Sequence, residues 1–150
     1  AALHGLPAIA LSQFYGPGNA RRDDPFEAAR QHGAATVRRL LDHAIWDAEA
    51  DYRLFYNVNF PALPGAEVRG LRVGRQGFRR DTAFGVQPHV SPSGRRFLWV
   101  KGGRQDTPTG PGTDAQDNLD GYISVVPMRA DLTAHDALEA VTAALENGAP

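Results

Sequence analysis

The sequence contains no cysteine. That excludes a disulfide framework, a thiolate nucleophile and a cysteine-ligated zinc, and it fits a reducing, cytoplasmic setting. No apolar run approaches the roughly 20 residues of a membrane-spanning helix. The apolar start lacks the basic segment of a secretory signal. There is no His-Glu-x-x-His, no Gly-x-Ser-x-Gly and no phosphate loop ending in Gly-Lys-Ser or Gly-Lys-Thr, which removes three common hydrolase and NTPase sites. The histidines at 4, 32, 43, 89 and 135 do not fall at metal-ligand spacing, and His32 and His43 are expected on a helix surface. Asp114, Asp117 and Asp120 miss the calcium-loop pattern, because Leu119 and Gly121 stand at the wrong offsets. They read as a solvated acidic loop.

What is present is an ordinary globular composition, 42% hydrophobic and 22% charged over 150 residues, enough for one domain with a real core. The charge is unevenly spread. Residues 69–104 hold nine basic side chains against the single acid Asp81, leaving that stretch at +8 and the remainder at −9 within an overall −1. Such asymmetry suits an anionic ligand, or pairing with an acidic surface of the same chain or of another subunit.

Local signals suggest the elements. Ala1 to His4 reads as the last turn of a helix, stopped by Gly5 and Pro7, so the chain is expected to open inside an α/β unit whose earlier half precedes it. Ala8 to Ser12 is a short apolar strand. Asp24, Pro25 and Glu27 resemble an N-cap, a first helical residue and a capping-box acid, starting a helix expected to reach about Ala48. Leu54 to Phe60 is a strand stopped by Pro61, and Leu71 to Arg75 another. This order favours a parallel crossover in a layered α/β fold. Phe84 to Val90 and Arg96 to Val100 flank the turn Ser91-Pro92-Ser93-Gly94 and form a hairpin. Its basic-aromatic character favours a subunit contact over a nucleic-acid reader. Residues 102–121 read as a long loop, Tyr122 to Val126 as a strand ended by Pro127, and Thr133 with Asp136 as a capping box before a helix bearing Leu138, Val141 and Leu145. Three segments follow: a core part over 1–75, a hairpin-and-loop extension over 76–121, and a final strand and helix over 122–150.

Chemistry alone leaves the activity open. The order of motifs says more. Gly5-Leu-Pro-Ala-Ile-Ala-Leu-Ser12, Asn57-Val-Asn-Phe-Pro61, Gly70-Leu-Arg-Val73, Gly112-Thr-Asp114, Gly121-Tyr-Ile-Ser-Val-Val-Pro127 and Asp131-Leu-Thr-Ala-His135 resemble, in register, the SurE family of stationary-phase survival proteins.

The resemblance implies a Rossmann-like three-layer α/β/α core, a protruding β-hairpin and a C-terminal helix exchanged between subunits of a homodimer or tetramer. It implies a metal-dependent 5'-nucleotidase, acting on nucleoside monophosphates and in some members on short polyphosphate. In the family, magnesium or manganese is held by an Asp-Asp pair after the first strand, with a Ser and an Asn further along. None of those elements is matched here, so no metal ligand and no catalytic residue is assigned, and the chain alone is expected to be inactive. Ser12 and Asn59 are expected to border the active-site crevice, with Thr113 and Asp114 closing over it. Asp131 and His135 are expected at the hinge before the exchanged tail, and Arg95 and Arg96 in a basic hairpin patch. Neither a membrane nor a nucleic-acid polymer is expected as a partner. The alternative is a non-catalytic fragment serving only as a subunit-association module.

Overall fold

In a computed structural model of the chain, residues 1–80 and 85–146 are described. The alternation in Phe55-Tyr56-Asn57-Val58-Asn59-Phe60 organises the fold. These residues form strand β2 (Phe55–Phe60), in which Tyr56, Val58 and Phe60 are buried while Asn57 and Asn59 are only half-buried. Side chains in a strand alternate between faces, so one face of β2 builds the core and the other presents amides. β1 (Ile9–Gln13) lies parallel to β2, with Ser12 opposite Asn59. The helix between them, α1 (Glu27–His43), completes the expected parallel crossover.

Two further strands complete a mixed sheet. β3 spans Leu71–Val73 and β6 spans Ile123–Met128, giving the order β1-β2-β6-β3. β6 is antiparallel to β2 and parallel to β3. The final strand, although distant in sequence, therefore sits inside the sheet formed by the first segment. The core joins Ala28 and Leu40 of α1 to Tyr56, Val58, Phe60, Ile123 and Val125. Burying aliphatic and aromatic side chains of this size stabilises by about 1.5–3 kcal/mol each.

Between these strands, β4 (Gly85–Val90) and β5 (Arg96–Lys101) form a separate antiparallel hairpin. Phe84, from which its first strand was expected, lies outside the described residues, as does Asp81. Gly94, at φ 78, makes the turn, where a Cβ would be strained. The register places Val86, Pro88, Val90, Leu98 and Val100 on one face, and Gln87, His89, Phe97 and Trp99 on the other. Both faces are exposed.

Several boundaries differ from expectation, each for a visible reason. The chain start is a 3-10 turn, Ala2–His4, closed by Gly5 at φ 72. α1 begins after Pro25, because the Pro25 carbonyl accepts hydrogen bonds from Gln13 Nε2 and Asn19 Nδ2, both at 2.7 Å. Ala29 N–H donates instead to Gln13 Oε1 at 2.9 Å. Glu27 makes no capping box; its Oε1 accepts from Gly65 N–H at 3.2 Å. α1 ends at His43, and the Ile45 carbonyl accepts from the Tyr56 hydroxyl while Trp46 packs edge-on to Tyr56. His32, expected on the helix surface, is half-buried with Nε2 2.8 Å from the Gly65 carbonyl.

The loop expected over 102–121 contains a short helix, α2 (Asp114–Leu119). β6 runs through Pro127 rather than stopping there. β3 pairs only with Ile123 to Val125, so at Pro127 the strand has a neighbour on one side only, where a missing N–H is tolerated. The Thr133 and Asp136 capping box does not form. Thr133 N–H donates to Asp131 Oδ1 at 2.9 Å, and α3 (Leu138–Leu145) starts after a 3-10 turn with Ala137 at its uncapped N-terminus. No residue of α3 is buried.

Candidate functional site

A cavity of about 450 Å³ opens where β1 and β2 end, lined by Ser12, Gln13, Phe14 and Tyr15 from β1 and its exit, Asn57 and Asn59 from β2, and Asp114 and Asn118 from α2. Arg79 and Gln105 also border it. This is the C-terminal edge of a parallel strand pair, the position at which open α/β sheets take their ligands.

The sheet register builds the floor. Ser12 stands opposite Asn59, and the Ser12 hydroxyl donates to Asn59 Oδ1. The amide Nδ2 of Asn59 makes no hydrogen bond among the described residues, and Asn59 lines the cavity. α2 forms a wall. Its cap is Thr113, whose hydroxyl accepts from Gln116 N–H at 3.3 Å and donates to the Gly110 carbonyl at 2.7 Å. Asn118 then fastens α2 to the sheet, with Nδ2 2.9 Å from the Asn59 carbonyl, 3.0 Å from the Tyr122 carbonyl and 3.2 Å from Ser124 Oγ. On the far side of α2, buried Asp117 accepts from Arg72 at 3.2 Å, and the Arg72 guanidinium lies 3.6 Å over the Tyr122 ring. The Asp117 hydrogen bond raises the Arg72 pKa and ties α2 to β3.

Asp114 enters the cavity already oriented. Its Oδ1 accepts from Gly77 N–H and Ala115 N–H, both at 2.7 Å. Among the described residues no group of three or more His, Cys, Asp or Glu is placed to hold a metal ion. Divalent magnesium and manganese favour several carboxylate, carbonyl or water oxygens. One carboxylate beside neutral amides and a hydroxyl does not fit such a site, and no chemical step is assigned to a metal held by these residues.

The site residues expected from sequence divide. Ser12, Asn59 and Asp114 converge on one cavity. Thr113 is buried and serves as a helix cap without lining it. Asp131 and His135 meet elsewhere, with Nε2 2.5 Å from Oδ2. Hydrogen bonds from Thr133, and then the His135 contact, hold the Asp131 carboxyl down to about 2. Arg95 and Arg96 stand exposed at the hairpin turn, outside the cavity lining. Sequence reasoning missed Gln13, Tyr15, Asn57, Arg79 and Asn118. Asn57 was legible, since two-residue alternation puts it on the face of Asn59, and Arg79 belongs to the basic 69–104 stretch; Gln13, Tyr15 and Asn118 carried no local signal.

The fold defines a Rossmann-like α/β protein with a crevice at the C-terminal edge of a parallel strand pair. A family model described as survival protein SurE matches residues 1–83, and the chain belongs to the SurE family. A protein of Cereibacter sphaeroides named 5'-nucleotidase SurE is 70% identical over 138 residues, covering 92% of this chain and 52% of the relative. One from Ruegeria pomeroyi with the same name is 66% identical over 146 residues, covering 97% and 55%. The crystal structure of the SurE protein from Aquifex aeolicus superposes with a TM-score of 0.63 at 30% identity, covering 94% of this chain and 54% of that one. The chain thus spans about half the length of the curated relatives it matches. No helix among the described residues is long and apolar enough to cross a membrane.

Proposed function

We propose that this chain supplies one wall of the active site of a metal-dependent 5'-nucleotidase that hydrolyses nucleoside monophosphates to nucleoside and phosphate. The observation that carries the reading is the convergence of Ser12, Asn59 and Asp114 on the strand-end cavity, in a chain so similar to proteins named 5'-nucleotidase SurE. The magnesium or manganese ion, when bound, would polarise the phosphoryl group and activate water; its ligands are assigned to parts of the protein outside this chain. The residues seen here bind and orient. Asn59, held by Ser12, presents amide donors. Asn118 fixes the spacing between α2 and β2, and Asp114 lends the cavity a carboxyl group oriented by the Gly77 and Ala115 N–H groups.

The test is release of inorganic phosphate from AMP by the protein as purified, with and without manganese. Manganese-stimulated release supports the reading. A protein of intact mass well above 16.2 kDa that releases no phosphate from any monoester sinks it.

A second reading, subunit association, is favoured by a different observation. The hairpin exposes Val86, Val90, Leu98 and Val100, and α3 exposes Leu138, Val141 and Leu145. A two-stranded hairpin is marginal alone, and an amphipathic helix with no buried face needs a partner. A homodimer or tetramer that exchanges α3 past an Asp131–His135 hinge would cover both surfaces. A purified mass of 16.2 kDa that still associates, without phosphatase activity, would make association the whole function.

A further inference from the structure

Resting on the nucleotidase reading, we propose that the strand-end cavity is the nucleoside subsite, in which Tyr15 stacks under the base and Asp114 accepts hydrogen bonds from the ribose hydroxyls. Three observations lead there. The cavity, at about 450 Å³, lies in the range of small-molecule sites, and a phosphoryl group alone does not fill it. Tyr15 is 57% exposed. It is nonetheless ordered by near-parallel stacking on Phe26, centroids 6.1 Å apart and planes 23° apart. A pre-ordered aromatic ring at a cavity edge is a platform for a base, which offers a π-face whatever its identity.

Asp114 decides the orientation. A phosphate ester is repelled by a carboxylate, so the phosphoryl group belongs away from Asp114. A ribose carries vicinal hydroxyls that donate, and an ionised carboxylate is an acceptor only. With Oδ1 taken by the Gly77 and Ala115 N–H groups, Oδ2 makes no hydrogen bond among the described residues and remains for a sugar hydroxyl. Asn57, which also lines the cavity, makes no side-chain hydrogen bond among the described residues and offers donor and acceptor to a base edge.

The experiment measures kcat/KM of the full protein for AMP, 2',3'-dideoxy-AMP and glycerol 2-phosphate. For Tyr15→Ala, the preference for AMP over glycerol 2-phosphate falls on the order of tenfold, through KM rather than kcat, and Tyr15→Phe restores it. For Asp114→Asn, whose Oδ1 still accepts from both N–H groups, the preference for AMP over the dideoxy nucleotide falls toward one. Adenosine binding by titration calorimetry weakens in both variants. If the parent protein hydrolyses AMP and neither ratio moves in well-folded variants, this assignment is overturned while the nucleotidase reading stands. A parent that hydrolyses no monoester and binds no adenosine overturns both.

Discussion

Ser12 and Asn59, 47 residues apart in the chain, are joined by a hydrogen bond across the parallel pair β1–β2. The helix between them makes that contact possible: a crossover of α1 brings the end of β2 beside the end of β1 in one register. Because the two side chains share a face, their coupling reports on that register directly. In a double-mutant cycle of Ser12→Ala and Asn59→Ala, the coupling energy by urea denaturation is roughly 0.5–1 kcal/mol, the range of an exposed neutral hydrogen bond. A coupling of zero would show that the pair does not form in solution.

Gln13 is the next test of how the site is held. It bonds both the Pro25 carbonyl and the Ala29 N–H, so it sets the start of α1. Gln13→Leu leaves the Ala29 N–H unsatisfied at a partly buried helix start. The expected loss is about 1–3 kcal/mol, read as a lower denaturation midpoint at unchanged slope.

Acid stability tests the Asp131–His135 pair. The Asp131 carboxyl is held down to about 2 from its ordinary 3.8, so folding favours the ionised form. Its contribution is fully present above about pH 4 and is lost as pH falls through 2. Thermal melts between pH 5 and pH 2 should show a smaller decline for Asp131→Asn than for the parent protein. An identical decline would remove the pair from the acid response.

Arg95 and Arg96 sit where long-range attraction of anions is plausible only through solvent, a range screened within about 8 Å at physiological salt. If the hairpin steers nucleotides, the double variant Arg95→Glu with Arg96→Glu weakens the salt dependence of kcat/KM. If the hairpin only assembles subunits, sedimentation mass changes and the salt dependence does not.

Much of the frame was legible because it rests on local periodicity. The alternation of Tyr56, Val58 and Phe60 with Asn57 and Asn59 gives β2 and both its faces. Ser91-Pro92-Ser93-Gly94 gives the hairpin turn. α2 was not legible, because six residues are too few to show a helical period within a glycine- and proline-rich stretch. The start of α1 was misread for another reason. Asp24 and Pro25 are good local starters, but Gln13 and Asn19 take the Pro25 carbonyl from outside the helix.

By itself the sequence determined an α/β domain, its parallel crossover and its family, since these follow from short-range pattern and from the order of motifs. Only the tertiary structure decided which residues come together at the strand-end cavity. Tyr15, Asn57, Asn118 and Asp114 meet because β2 pairs with β1 and β6 and because Asn118 clamps α2 onto that sheet. Contacts between residues tens of positions apart are set by strand register and packing, and no local stretch of sequence carries that information.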